Sequence, residues 1–418
     1  MTVTVEPATR LARRLGLLDA VVIGLGSMIG AGVFAAFSPA AEAAGAGLLI
    51  GLAIAGVVAF CNAMSSAQLA AVYPQSGGTY VYGREQLSPF FGYLAGFAFV
   101  AGKLASLTAM ALTFGAYVAP SAARPLGIAA VVALTAVNYL GVSKTAAVTR
   151  VIVVAVLASL AFVVAACLLA GDPDPDRLSP LWPDAGLHGV LASAGFLFFA
   201  FAGYARVATL GEEVRDPVAT IPRAIGIALA VTLAVYAAVG LAVLLVLGPD
   251  SVAAATAPLV SAVEATSLDG WTLVVRVGAA LATLGVLLSL LAGVSRTVFA
   301  MAADGHLPRR LAAVHEAHKV PHVAEVAVGA VVAVVVAFAD LRSAIGFSAV
   351  TVLAYYAIAN ASAFTLGSER RSWPRVVPVL GFVGCVTLAL ALPSRTVAIG
   401  LAVLAAGAAL YALRSWRQ

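Results

Sequence analysis

Charge is scarce in this sequence. Only 10% of its 418 residues are Asp, Glu, Lys or Arg, while 62% are hydrophobic and the mean hydropathy is +1.04. A typical soluble domain has about 25% charged residues. A chain with so few charges cannot cover its outer surface with groups that water solvates. The composition therefore indicates an integral membrane protein surrounded by lipid.

Cysteine and histidine are also rare, which limits the disulfides and metal sites that the chain could form. Each of the three cysteines, Cys61, Cys167 and Cys385, lies inside an apolar run, which is typical of small buried side chains and not of a disulfide framework or a zinc site. The histidines between residues 306 and 322 share one loop, but no matching carboxylates on a helix face accompany them to complete a metal site. We therefore predict neither a metal nor a cofactor.

Other functional classes lack their motifs. The sequence contains no Gly-x-x-x-x-Gly-Lys nucleotide loop, which a primary pump would need, and no paired intramembrane aspartates that would suggest a membrane-embedded enzyme. The net charge of +5 does not predict a nucleic-acid partner, because Lys and Arg are scattered in short loops and form no stripe. We expect a protein that is not an enzyme.

Long apolar stretches dominate the chain. A helix needs about 20 residues to cross a hydrocarbon core of about 30 Å, and interruptions by Pro, Gly or charge mark its ends. These criteria predict about twelve transmembrane helices, near residues 17–38, 45–72, 90–119, 124–141, 147–170, 188–210, 222–247, 271–302, 323–339, 343–366, 376–392 and 395–413. The fold class is therefore an all-α integral membrane protein.

Charge in the loops predicts the orientation. One alternate set of loops and termini is basic, and its members are Arg10, Arg13, Arg14, Arg84, Lys144, Arg150, Arg215, Arg223, Arg309, Arg310, Lys319, Arg370, Arg371, Arg375, Arg414 and Arg417. The other set is acidic or nearly neutral, with Glu42, Asp172, Asp174, Asp176, Asp184, Asp250, Glu264 and Asp269. Basic loops stay in the cytoplasm, so both termini are expected there.

Glycine interrupts the first and the sixth apolar stretches. The segment Gly24–Phe34 reads GLGSMIGAGVF, and Gly203 lies at a comparable place in FLFFAFAGYARVATLGEE. Helix breaks at corresponding positions of two halves point to a midplane binding site in an inverted-repeat transporter. Close packing between helices is the alternative explanation for such glycines.

Four blocks in order resemble the amino acid/polyamine/organocation permease superfamily. They are Leu17 to Ala20 followed by Ile29 to Phe34, then Tyr73 to Tyr82, then Glu212 to Ala224, and finally Ser295 to Pro308. The resemblance implies a five-plus-five inverted repeat in which helices one and six are unwound at the centre, with two further helices at the end. It divides the chain into a cytoplasmic tail (1–16), a first repeat (17–170), an external loop (171–187), a second repeat (188–367) and a final pair with a short cytoplasmic C-terminus (368–418).

The resemblance also implies where an amino acid would bind. Free amides at the break in helix one would receive the carboxylate, since a helix N-terminus favours an anion. Carbonyls at the breaks in helices one and six would accept from the ammonium. The residues that it implies are Met28, Ile29, Gly30, Ala31, Gly32, Phe199, Ala200, Ala202 and Gly203. Phe199 is either a gate over the site or a packing residue.

This chain departs from better-known members at its intramembrane charges. Some relatives carry an acid where Ala205 stands, and some proton-dependent relatives carry a lysine in helix five where Val156 stands. Lys103 and Arg206 instead lie in apolar stretches, and such cations are costly and usually functional. We hypothesise that Lys103 fills the place of a sodium ion between helices one, five and eight, near Ser159 or Ser289. Alternatively, Lys103 or Arg206 snorkels to an interface.

These features favour one function. We expect secondary active transport of amino acids or related amines across the plasma membrane by alternating access. The partners would then be a small-molecule substrate and lipid. An exchanger without ion coupling is one alternative, and a channel is another, although a channel would need a continuous polar pore. The oligomeric state is not predicted.

Overall fold

The computed structural model describes residues 15–73, 77–141, 146–208 and 214–415. Regular structure in these ranges is helical, and the strand-like pairing there is a single bridge between Leu15 and Val214. The α-helices, in chain order α1 to α18, are Leu17–Met28, Ala31–Ala35, Phe37–Ala44, Leu48–Val72, Thr79–Gln86, Pro89–Val118, Ala123–Tyr139, Ala146–Ala165, Gly186–Phe201, Ala205–Ala208, Pro217–Leu247, Pro249–Ala254, Pro258–Glu264, Thr272–Ala303, His322–Phe338, Leu341–Phe364, Val376–Ala391 and Ser394–Ser415.

Within the described ranges, nine helical stretches are long and apolar enough to cross a membrane. They are Leu17–Ala35, Phe37–Val72, Pro89–Val118, Pro120–Tyr139, Ala147–Ala170, Ala219–Leu247, Asp269–Ala303, Leu341–Phe364 and Ser394–Arg414. Three apolar helices, α9, α15 and α17, have only 16 or 17 residues. The all-helical membrane class is therefore confirmed, while the count of twelve crossings stays a prediction.

Proline and glycine mark the ends of several helices. Helix α11 begins at Pro217, after Asp216 has capped it by accepting from the Ala219 amide at 3.5 Å. It ends at Gly248, whose φ of +74° is left-handed and suits a residue without Cβ. Similarly, α6 begins at Pro89, where a missing amide proton costs nothing.

Three helices lie in segments that the sequence suggested were loops. Helix α5 follows the second apolar stretch, and α12 and α13 lie between the seventh and eighth. The first stretch also continues beyond its predicted end at residue 38, because α3 runs on to Ala44. A 3₁₀ turn at Gly45–Gly47 then connects it to α4.

Helix α6 packs along both α14 and α16, and α4 packs along α9, α11 and α17. At the start of α1, the Asp19 carboxylate pairs with Arg150 at 2.8 Å, and the Arg215 amide donates to the Leu15 carbonyl at 2.9 Å. These contacts hold the start of α1 against α8 and against residues 214–215.

Candidate functional site

The first helical stretch is broken at residues 29–30. Helix α1 ends at Met28 and α2 begins at Ala31. Between them, the Ile29 amide still donates to the Leu25 carbonyl at 2.7 Å, and the Gly30 amide turns back to the Met28 carbonyl at 2.8 Å. The amides in the first turn of α2 have no acceptor within their own helix. All of these residues are buried, so the break presents its peptide groups to the protein interior.

The sixth predicted stretch is broken as well. Helix α9 ends at Phe201, the chain turns through residues 202–204, and α10 begins at Ala205. In the turn, the Ala202 amide donates to the Phe199 carbonyl at 3.4 Å, and the Tyr204 amide donates to the Phe201 carbonyl at 3.3 Å. The last carbonyls of α9 therefore lie at an interrupted helix end, which carries partial negative charge.

The two breaks contact each other. A Cβ added at Gly32 would lie 2.4 Å from the Ala200 Cα, and one added at Gly203 would lie 2.1 Å from the Ser27 carbonyl oxygen. Atoms this close cannot coexist, so these positions require glycine for the helices to approach. The structure thus brings together the two groups of residues that the resemblance implied, from Met28 to Gly32 and from Phe199 to Gly203.

Three buried tyrosines, which the sequence reasoning missed, fix the carbonyls at this crossing. The Tyr236 hydroxyl lies 2.7 Å from the Met28 carbonyl and 3.1 Å from the Ala200 carbonyl. The hydroxyl of Tyr356 donates to the Ala202 carbonyl at 3.2 Å, and that of Tyr117 donates to the carbonyl of Phe34 at 2.7 Å. The signal in the sequence was Tyr236, the single aromatic residue of α11.

The tyrosines correct one expectation. The carbonyls of Met28, Ala200 and Ala202 were expected to be free, but each already accepts a hydrogen bond in this structure. One hydroxyl has one proton to donate, so Tyr236 cannot fully satisfy both of its acceptors at once. The Met28 carbonyl also accepts from the Gly30 amide at 2.8 Å, so an ammonium would have to displace the Tyr236 hydroxyl from Met28, while the Ala200 carbonyl keeps acceptor capacity.

Aromatic rings surround the same point. Phe198 packs edge-on against Tyr356 with ring centroids 5.8 Å apart, and Phe201 packs against Tyr236 at 5.3 Å. Phe199 is also buried, with 8% of its surface exposed. The rings shield the crossing from its surroundings, which strengthens electrostatic interactions inside it.

Lys103 and Arg206 occupy different environments. Lys103, on α6, is buried, and its Nζ lies 3.4 Å from the Ala202 carbonyl oxygen. The side chain of Arg206, on α10, is exposed. The two residues are therefore not a pair of equally buried cations, because Lys103 is buried beside the helix breaks and Arg206 is exposed on the short helix that follows them.

The junction of helices α1, α8 and α14 holds a separate small cavity of about 10 Å³. Its lining includes Gly26 and Ile29 from α1, Val153 and Val156 from α8, and Gly285 from α14. Val156 thus lies at the predicted junction. Volume of this order is the minimum for one water molecule.

The hypothesis that Lys103 fills this junction is wrong. Its ammonium contacts the turn after α9, because α6 packs on α14 and α16 and directs the side chain there. The two serines named with it are occupied elsewhere. Ser159 donates to the Val274 carbonyl at 3.1 Å, and Ser289 donates to the Gly285 carbonyl of its own helix at 3.1 Å.

A polar cluster connects α5 with the segment after α14. The Tyr80 hydroxyl lies 2.5 Å from Asp304 Oδ2 and 2.9 Å from His306 Nδ1, and Arg84 lies 3.6 Å from the same carboxylate. Burial lowers the pKa of His306, and burial together with the Asp304 carboxylate raises the pKa of Tyr80. The cluster holds these two loop segments together by hydrogen bonds and charge.

The histidines further along the same loop surround Tyr139. The ring centroids of His315 and His318 are 4.7 Å apart, and those of His315 and His322 are 5.3 Å apart. Within the described ranges, no group of three or more His, Cys, Asp or Glu is placed to hold a metal ion. Glu212 and Glu213, in the third block of the resemblance, lie outside the described residues.

Comparison with known proteins agrees with the resemblance to a permease family that the sequence shows. A family model described as amino acid permease matches residues 19–391. An uncharacterised transporter of Mycobacterium tuberculosis is 61% identical over 404 residues, which cover 97% of this chain and 92% of the relative. The branched-chain amino acid permease BcaP of Bacillus subtilis is 27% identical, with 97% and 93% covered. Cationic amino acid transporter 7 of Arabidopsis thaliana is 28% identical, with 85% and 66% covered.

Proposed function

This chain belongs to the amino acid permease family, and we propose that it is a secondary transporter that moves amino acids or related amines across the plasma membrane by alternating access. The observation that carries the proposal is the contact between two broken helices, Gly32 against Ala200 and Gly203 against Ser27. Such a contact brings helix-end amides and helix-end carbonyls, which carry opposite partial charges, to one place.

The proposed site matches the two charges of an amino acid. The α-carboxylate would accept from the amides of Ala31 and Gly32 at the start of α2, where charge-assisted hydrogen bonds are stronger than neutral ones. The ammonium would donate to the carbonyls of Met28 and Ala200, where the Tyr236 hydroxyl now lies. Both charges would then be compensated away from water, as burial of a zwitterion requires.

The remaining named residues would complete the same site. Ile29 and Gly30 form the break itself, Ala202 and Gly203 form the turn opposite, and Phe199 would cover the ligand. In this proposal α9 and α10 are the two halves of helix six, while α1 and α2 are the two halves of helix one. The short helix α9 would then be one half of a membrane-spanning helix and not a complete one.

We further propose twelve crossings in two inverted repeats, with both termini in the cytoplasm. A cysteine at Ala313 should then be protected in intact cells, while one at Ala185 should react with an impermeant thiol reagent. Background labelling should be low, because Cys61, Cys167 and Cys385 are all buried. Labelling at residue 313 alone would reverse the orientation.

Coupling is proposed to be independent of sodium. Sodium prefers several oxygen ligands as a hard cation, whereas the side chains that line the junction of α1, α8 and α14 offer a single oxygen, the Thr149 hydroxyl. Exchange without ion coupling is one form of transport that such a junction allows.

Exchange across proteoliposomes tests the function. Purified protein would be reconstituted with a high internal concentration of one unlabelled amino acid, and uptake of the same labelled amino acid would be followed. We expect accumulation above that of protein-free vesicles, with saturation. Uptake that never saturates would indicate a channel, and no exchange with any amino acid would refute the proposal. The names of the relatives differ in substrate, so the assay must sample neutral, acidic and basic amino acids.

A further inference from the structure

Lys103 is a buried cation beside the point where the two helix breaks meet. Only 7% of the surface of Lys103 is exposed, and its Nζ lies 3.4 Å from the Ala202 carbonyl oxygen. The next residue, Gly203, packs against the Ser27 carbonyl at the end of α1. The Lys103 ammonium therefore contacts the residue next to Gly203, at the contact between the two broken helices where the substrate is proposed to bind.

No protein carboxylate compensates this charge in the described part of the chain. The ion pairs there do not include Lys103, and Glu325, the other buried charged side chain, lies near Arg296 instead. The Lys103 Nζ also lies over the Phe99 ring, 5.9 Å from its centroid. A long hydrogen bond to one carbonyl satisfies at most one of the three N–H donors of an ammonium.

An uncompensated cation in a low-dielectric interior is unfavourable. The carbonyl end of α9 offsets part of the cost, because a helix C-terminus carries about half a negative charge. The rest of the compensation has to come from outside the described protein. A ligand that enters the crossing is the group that can bring it.

We propose that Lys103 determines the side-chain specificity of the transporter. It favours amino acids whose side chain ends in a carboxylate, tolerates neutral ones and excludes lysine, ornithine and arginine. The inference rests on the proposed amino acid transport. A second positive charge about 5 Å from the ammonium would weaken binding by about a hundredfold or more at an effective dielectric constant of about 20.

Competition for exchange tests the inference. Wild-type protein, Lys103→Met, Lys103→Arg and the matched control Lys319→Met, which changes a lysine exposed in a loop, would be reconstituted in parallel. Each preparation would exchange labelled leucine against external glutamate, leucine or arginine. Methionine has nearly the length of lysine without its charge, so Lys103→Met should keep the helices packed. Thermal stability in detergent would verify that each variant is folded.

We expect wild-type protein and Lys319→Met to prefer glutamate over arginine, and we expect Lys103→Met to shift that preference toward arginine by about a hundredfold. Lys103→Arg should retain the exclusion of arginine. Exchange of arginine by wild-type protein, or an unchanged preference in a folded Lys103→Met, would overturn the inference and leave amino acid transport standing. A loss of pH dependence with unchanged preference would identify Lys103 as a proton carrier and also overturn it. If no preparation exchanged any amino acid, the proposed function itself would fail, and the inference with it.

Discussion

Replacing Gly30 by alanine separates packing from ligand binding, provided that Val286 is changed as well. A Cβ at Gly30 would lie 2.7 Å from Val286 Cγ2 and 3.3 Å from its Cβ, whereas carbon atoms in good contact are about 3.5–4.0 Å apart. Val286 would have to move by roughly 1 Å. Overpacking of this kind costs about 1–3 kcal/mol, so Gly30→Ala alone should be destabilised by that amount.

Truncation of the neighbour should relieve the clash. Val286→Ala removes two buried carbon groups at about 0.8 kcal/mol each, a cost of about 1.6 kcal/mol. It removes the 2.7 Å clash and leaves the remaining Cβ of residue 286 at 3.3 Å from the new methyl group, a contact that a shift of a few tenths of an ångström relieves. The double variant Gly30→Ala/Val286→Ala should therefore be about as stable as Val286→Ala, with a favourable coupling of about 1–3 kcal/mol. A bulkier change such as Gly30→Leu does not allow this separation, because it adds three more carbons where the Cβ alone already lies 2.7 Å from Val286.

The assay compares thermal unfolding in detergent with amino acid exchange in proteoliposomes for all three variants. If the substrate carboxylate lies against the break, the methyl group at residue 30 obstructs it, and the double variant should be stable yet exchange at less than about a tenth of the rate of Val286→Ala. Gly32→Ala is a useful contrast, since its Cβ would lie 2.4 Å from the Ala200 backbone, which no side-chain truncation relieves. Full exchange by the stable double variant would refute the role of Gly30 in binding.

Three further predictions follow from contacts described above. Tyr236→Phe removes the donor shared by the carbonyls of Met28 and Ala200, so the ligand-free protein should lose about 1–3 kcal/mol of stability. Addition of an amino acid should then raise the unfolding temperature of this variant more than that of wild type. An equal rise in both proteins would contradict the proposed ammonium position. Uptake should be the same in sodium and in choline buffers, because the side chains at the junction of α1, α8 and α14 are mostly apolar; strong sodium dependence would contradict this. Burial lowers the pKa of His306, so the fold favours its neutral form, and thermal stability should fall as the pH drops below about 6.5; His306→Gln should weaken that fall, and an unaltered profile would exclude the histidine as its cause.

Much of the fold was predictable from the sequence, because the length of an apolar stretch and the position of a glycine can both be read from residues that are neighbours in the chain. Nine long helices with a high mean hydropathy lie in the described ranges where long apolar stretches were predicted, and the glycines at residues 30 and 203 mark places where the helices break. The short helices α5, α12 and α13 were missed, since their residues are too polar or too few to stand out from loops in a membrane protein.

The side-chain contacts of the site were less predictable, because they depend on which helix faces which. Tyr236 is 208 residues away in sequence from Met28, to which it donates, and no local pattern reports such a contact. Lys103 was assigned to the wrong junction for the same reason: its position in the middle of a helix indicated burial correctly, but not the neighbour that it contacts. Only the packing of α6 places its ammonium at Ala202.

A structure determined with the amino acid that exchanges best would test the central claim most directly. We predict ligand density at the crossing of the two broken helices, with the carboxylate within hydrogen-bonding distance of the Ala31 and Gly32 amides and the ammonium beside the carbonyls of Met28 and Ala200. The hydroxyl of Tyr236 should then have moved away from at least one of those carbonyls. Ligand density elsewhere, with the crossing unchanged from its present arrangement of hydrogen bonds, would contradict the account.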